Sequence, residues 1–336
     1  MKLKTVSLYD EKSLAELTRF QREKNWDFED DIDWDIAIDL NKPLVALDEN
    51  ALLFPGSGQE ERLAISQMMG LIIATAICEM EECLARLRKE CWDDFHARWP
   101  VSPEFQELGD QFFEEEKKHS AAFRRYMKKF AEAANVDLAS LTEVLPSIHG
   151  TKTEWILRNN LKGGGQMFWW IVASVEQEFL LLYHSLVPFK ARLEPLYFQL
   201  HQKHFEEEVR HAPFPYLMLE LLTTRNSSIG NQIRVRSDLA LAEVLQSIWT
   251  INSLAKTRKV KKLAEVHPFF ETLARIYPLL EDRSSILVLW QLFTSTPYVS
   301  SLVNPQSHHK LLRFAKKFGA ISIPFPLYSP SDFVKY

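Results

Sequence analysis

Apolar positions along this chain recur at spacings of three and four, the period of a helix with one buried face. Strand-like alternation is confined to the short stretch "KPLVALDENALLF". The pattern predicts long helices at about 63–94, 103–134, 165–186 and 190–212, and shorter ones at about 214–224, 236–256, 260–278 and 282–295. The first 60 residues carry the acidic, Trp-bearing run "NWDFEDDIDWD" and read as an irregular wrap with one early helix. The tail "ISIPFPLYSPSDFVKY" holds three prolines and is expected to be extended, with its aromatic residues packed on the body. There is no visible internal repeat and no low-complexity linker. The expected organisation is one all-α domain over 1–336: a wrap (1–60), a four-helix core (61–225), and appended helices with the tail (226–336).

One stripe changes the picture. In "FFEEEKKHSAAFRRYMKKF", residues 112–130, the alternating 4,3 spacing picks out Phe112, Glu116, His119, Phe123, Tyr126 and Phe130. Glu116 and His119 therefore sit inside an apolar stripe, while Glu114, Glu115, Lys117 and Lys118 flank it and can face water. The same spacing in the fourth long helix picks out Tyr197, His201, His204, Glu208 and His211 within "HQKHFEEEVRHAPF". Each helix thus presents a Glu-x-x-His pair, with His204 one turn before Glu208 on the same face. Two such pairs on separate helices, with one Glu from each of two more, describe a carboxylate-bridged dimetal bundle.

The other two glutamates are sought on the remaining long helices. "MFWWIVASVEQEFLLLYH" is apolar almost all round and contains only Glu176 and Glu178. They point to different faces, and Glu176 aligns with Val172, Leu180 and Tyr183, so Glu176 is preferred. "AICEMEECLARLRKE" offers Glu79, Glu81 and Glu82. Glu81 is preferred because it lies at the edge of the apolar stripe with small neighbours; Glu82 suits a surface pair with Arg86. Carboxylates bring hard, charge-neutralising oxygens, and imidazoles cap the ions.

With His204 added, the run His204-x3-Glu208-x2-His211, together with Glu116-x-x-His119 and Glu176, resembles the arylamine N-oxygenase family of di-iron proteins, the p-aminobenzoate N-oxygenase type. The resemblance spans about residues 60–220. It implies a ferritin-like bundle and a metal site made by Glu81, Glu116, His119, Glu176, His204, Glu208 and His211. It further implies two iron ions, oxygen as co-substrate, a peroxo-diferric intermediate, and stepwise oxidation of an amine to hydroxylamine, nitroso or nitro. Manganese suits the same ligands. C–H hydroxylation or desaturation, and metal binding without turnover, are the alternative readings.

Composition adds limits. The chain is 46% hydrophobic, enough for a sizeable core, and its net charge of -5 gives no reason to expect nucleic acid. Cys78, Cys83 and Cys91 share one expected helix and form no CxxC pair, so they read as free thiols. The start lacks a secretory apolar core, and the longest uncharged apolar runs, 68–78 and 167–175, fall short of the roughly 20 residues a span needs. The expectation is a soluble cytoplasmic protein with no membrane span, compatible with a homodimer. It would act on a small-molecule or carrier-bound substrate and draw electrons from an external donor. Tyr126, Tyr183 and His201 lie on ligand-facing stripes and His184 beside one. "KGGGQ" (162–166) lacks the end of a phosphate loop and reads as a flexible helix start. "AKTRKVKK" (255–262) reads as a solvated helix end, and His308 and His309 have no carboxylate partner.

Overall fold

The stripe Phe112, Glu116, His119, Phe123, Tyr126 and Phe130 is fully buried in the computed structural model of the chain. The structure describes residues 11–47, 58–145, 147, 152–224, 233–234, 236–238, 240–242, 245 and 259–276. The expected helix at 282–295, the Pro-rich tail, His308, His309 and most of 236–258 lie outside the described residues.

In chain order the helices are α1 (Glu11–Glu23), α2 (Gln59–Arg88), α3 (Asp94–Arg98), α4 (Pro103–Ala133), α5 (Leu138–Glu143), α6 (Lys152–Lys162), α7 (Met167–Leu186), α8 (Pro195–His211) and α9 (Pro213–Thr224). Two short helices, α10 (Val260–Ala264) and α11 (Glu271–Ile276), follow. No strand occurs among the described residues, so "KPLVALDENALLF" forms none where it is described.

The long helices are bounded by local chemistry. Ser102 opens α4: its hydroxyl accepts from the Phe105 amide at 3.2 Å, and Pro103 takes the first helical position. Asn135, at φ 51°, closes it, with the Val136 amide returning to the Ala131 carbonyl at 3.0 Å. Glu194 opens α8, accepting from the amides of Leu196 (3.3 Å) and Tyr197 (2.7 Å).

Two expected helices are reshaped. The first long one continues past Arg88 through a π-helical turn, Lys89–Asp93, into α3. The wider turn brings Trp92 inward; its indole N–H donates to Asp110 at 3.0 Å and its ring lies on Gly109. A Cβ on Gly109 would sit 2.2 Å from the ring, so Gly109→Ala is expected to destabilise the fold by about 1–3 kcal/mol through overpacking. Urea unfolding checks this; a variant as stable as the parent would show that the ring moves aside. The third long helix is preceded by α6, which the apolar spacing did not reveal. Between them Gly164 takes φ 69°, and Asp238 accepts from Gln166 N at 2.6 Å and Asn160 Nδ2 at 3.1 Å. The glycine run is thus an anchored corner, not a flexible start.

Helix α2 packs along α4, α7 along α8, and α4 against α8, giving a four-helix bundle; α1 covers α4 and α8. By length and composition alone, residues Gln59–Arg98 could cross a membrane, because the apolar stretch extends beyond the uncharged run 68–78. Of that apolar window 61% is buried inside the protein, as in the core helix of a bundle.

The apolar core divides into two clusters. The division falls within α2, α4 and α7, between Cys78 and Cys83, Phe113 and Ala122, and Ala173 and Phe179, and along α8 into the start of α9, between Leu200 and Phe214. A layer of buried polar side chains fills that gap. This is the ferritin-like plan, in which facing helices supply inward carboxylates and histidines.

Candidate metal centre

Glu81 from α2, Glu116 and His119 from α4, Glu176 from α7, and His204, Glu208 and His211 from α8 occupy the polar layer, none more than 2% exposed. Their donor atoms form two overlapping sets, each lying within 4.8 Å: Glu81, His119, His204 and Glu208, and Glu116, His119, Glu208 and His211. Glu208 is central. Its Oε1 lies 2.9 Å from His204 Nε2, 3.1 Å from His119 Nδ1 and 3.6 Å from His211 Nδ1. His204 Nε2 and His119 Nδ1 also approach Glu81 Oε1, at 2.9 and 3.7 Å. On the other side His211 Nδ1 lies 3.0 Å from Glu116 Oε1. Glu176 belongs to neither set, and its carboxyl feels the charge of Glu208.

The donors fit metal ions by a direct criterion. Glu81 Oε2, both oxygens of Glu116, Glu176 Oε2, both oxygens of Glu208, and the Nδ1 atoms of His119 and His211 are buried without a well-formed hydrogen bond. Leaving one such atom unsatisfied costs about 1–3 kcal/mol, more if charged. Cations satisfy all of them at once.

Two further carboxylates complete the arrangement. Glu207 Oε2 lies 2.6 Å from His119 Nε2, and Glu115 Oε2 lies 2.5 Å from His211 Nε2. Each leaves Nδ1 facing the centre, the carboxylate–histidine–metal arrangement. Glu115 was expected to face water; it is 4% exposed because α1 packs over it. Glu207 was not singled out at all.

The remaining candidates lie elsewhere. Glu82 pairs with Arg86 at 3.6 Å and with Arg124. Glu178 accepts from Ser174 Oγ at 3.2 Å, and burial pushes its carboxyl up to about 7. Tyr126 donates to Glu194 at 3.3 Å rather than to a ligand. Tyr183 stacks on Phe205 at 4.3 Å, and His184 is exposed. His201 is buried against Tyr197 (4.3 Å between ring centroids) and Phe123 (5.1 Å), with Nε2 unpartnered.

Among solved structures, the chain is similar to an R2-like ligand-binding oxidase with an aerobically reconstituted metal cofactor after photoconversion. The TM-score is 0.46 at 14% identity, covering 87% of this chain and 93% of that one. No family model and no curated protein matches the chain. The geometry of the polar layer therefore carries the functional argument.

Without a cation, protons must balance the cluster. Burial, then the charges of Glu116 and Glu208, push Glu81 well above the usual carboxylate range; burial and Glu208 do the same to Glu176. For Glu208, burial works upward, but the charges of His204 and His211 outweigh it and hold the carboxyl well below that range. Burial works against protonation of His119 and His211, yet their carboxylate partners raise both, His119 to about 9. Burial is the main cause lowering His204.

A pH prediction follows for chelator-stripped protein. Unfolded, its histidines titrate near 6.5; folded, His119 holds its proton to about pH 9. That contribution is complete below pH 6.5 and lost as pH rises through about 9. His211, Glu81 and Glu176 are also raised and act in the same direction. The thermal midpoint of stripped protein is expected to fall between pH 6.5 and 9, measured by circular dichroism. A midpoint that climbs over that range would contradict the clustering.

Proposed function

We propose that the chain is an oxygen-activating dimetal oxygenase, with two iron ions as cofactor and an amine nitrogen as the oxidised group. The observation that carries the metal-dependent reading is the set of orphaned, buried donor atoms converging from four helices. Glu81, His119 and His204 would hold one ion, Glu116, Glu176 and His211 the other, with Glu208 between them. Iron in those positions supplies electrons and open coordination sites for dioxygen. The buried layer keeps water away, and Phe112, Phe123 and Phe179 wall the histidines with ring centroids 5.0–5.1 Å from them.

The third histidine supports the amine reading, since it is the feature shared with the arylamine N-oxygenases. The first step is then R–NH2 + O2 + 2 electrons + 2 protons giving R–NHOH + H2O. The electrons come from an external donor, and the substrate is a small or carrier-bound amine. A cavity of about 700 Å3 is lined by Arg62, Ser66, Phe189 and Leu193, among others. Ser66 is fifteen residues from Glu81 on α2, about 22 Å along the helix, so this cavity is not the reaction chamber.

The test is to reduce iron-loaded protein, admit 18O2 with p-aminobenzoate as a first arylamine, and analyse products by mass spectrometry. An 18O-labelled hydroxylamine or nitroso product supports the reading. Label on ring carbon moves the protein to C–H oxidation. Oxygen uptake by neither substrate nor metal leaves metal binding without turnover.

A further inference from the structure

The two outer carboxylates are held by one short piece of chain at the end of α1. Gln21 Nε2 donates to Glu115 Oε2 at 2.9 Å, and the Trp26 amide donates to Glu207 Oε1 at 3.0 Å. Trp26 also stacks on His119, with ring centroids 6.0 Å apart and planes at 8°. Gln21 and Trp26 are 1% and 4% exposed. The N-terminal wrap therefore reaches both histidines that close the two Glu-x-x-His pairs, through one carboxylate each.

The two carboxylates differ in charge environment. Glu207 Oε1 accepts from Lys118 Nζ at 2.6 Å and lies 3.5 Å from Arg210 Nη2. Lys118 is fixed in turn by the Trp26 carbonyl at 2.9 Å, and Arg210 by the Lys24 carbonyl at 3.1 Å. Among the described residues Glu115 meets His211 and the neutral amide of Gln21, with no cation beside it. A carboxylate behind a histidine strengthens it as a ligand by drawing on its N–H. One already facing an ammonium and a guanidinium has less charge left to give.

We propose that Glu115 and Glu207, seated by residues 21–26, are positioning residues that make the two metal sites unequal. Glu115 lends His211 its full charge, while Glu207 lends His119 a charge shared with Lys118 and Arg210. The inference rests on the dimetal reading above. Outer partners of this kind typically change metal affinity by about 10–100-fold.

The test uses the full chain, stripped of metal and dialysed anaerobically against ferrous iron. Glu115→Gln is expected to weaken one of the two irons about 10–100-fold and leave the other unchanged. Glu207→Gln is expected to cost less than about tenfold. Gln21→Lys places a cation beside Glu115, as Lys118 stands beside Glu207, and should weaken the same iron as Glu115→Gln. In Mössbauer spectra of the ferrous protein, Glu115→Gln should shift one of two doublets. Affinities equal to wild type, or a larger effect from Glu207→Gln, would overturn the proposal. So would a fall in the melting temperature of stripped Glu115→Gln protein at unchanged iron affinity, which marks a structural role. Wild-type protein that binds no iron would overturn the dimetal reading together with this one; two irons with indifferent variants would overturn this one alone.

Discussion

Glu208→Ala is expected to empty the centre, leaving fewer than one iron per chain where the parent is expected to hold two. Its Oε1 lies within reach of all three candidate ligand histidines, at 2.9, 3.1 and 3.6 Å, and Glu208 is the carboxylate common to both donor sets. Its loss also removes one of the carboxylates that face His204 and His211. The isosteric Glu208→Gln separates charge from volume: it fills the same space but supplies a neutral amide. Both variants should lose iron, with Glu208→Gln retaining the parent's helical circular dichroism. Full iron occupancy in either would remove Glu208 from the ligand set.

His204→Ala should lose iron on one side only. His204 reaches Glu81 and Glu208 at 2.9 Å each and is walled by Phe123 and Phe179, their ring centroids 5.1 and 5.0 Å away. Removing the imidazole leaves an apolar-walled hole beside those two carboxylates. The iron shared with Glu81 should weaken by at least about tenfold, the lower range for losing even an outer partner. The iron on the Glu116 side should persist. Free imidazole should restore binding by filling the hole, which a fold defect would not allow. Iron content unaffected by the substitution would make His204 a core histidine.

The helical periodicity already contains most of this geometry. The 4,3 stripes in α4 and α8 place Glu116, His119, His204, Glu208 and His211 on inward faces, and the structure brings those faces together. Glu176 was separable from Glu178 because a helix apolar on most sides still directs two residues spaced by two to different faces. Glu81 was preferred over Glu79 and Glu82 for its small neighbours, and Glu82 suited a surface pair with Arg86; Ala74 and Cys78 are buried, and Glu82 pairs with Arg86 at 3.6 Å.

Glu115 and Glu207 were illegible for a physical reason. Each is one residue before a candidate ligand glutamate, about 100° around the helix, where periodicity predicts solvent. Their burial comes from α1 and the irregular segment after it, whose packing follows from no repeating pattern. The contacts of Gln21 and Trp26 with them span 94 and 181 positions of sequence. The helix boundaries fail for local reasons. The π-helical turn at Lys89–Asp93 widens the first long helix and leads it into α3, past the expected end at about 94, and Asp238 fixes a glycine corner from more than 70 residues away.

The central claim is that this polar layer binds two redox-active metal ions that react with oxygen. The most direct measurement counts metals per chain in protein from iron-supplemented cells, then follows the visible spectrum after anaerobic reduction and addition of oxygen. The account predicts two irons per chain and a transient coloured species whose formation Glu208→Gln abolishes. A chain that folds with no bound metal, or one whose bound metal gives no spectral response to oxygen, would contradict it.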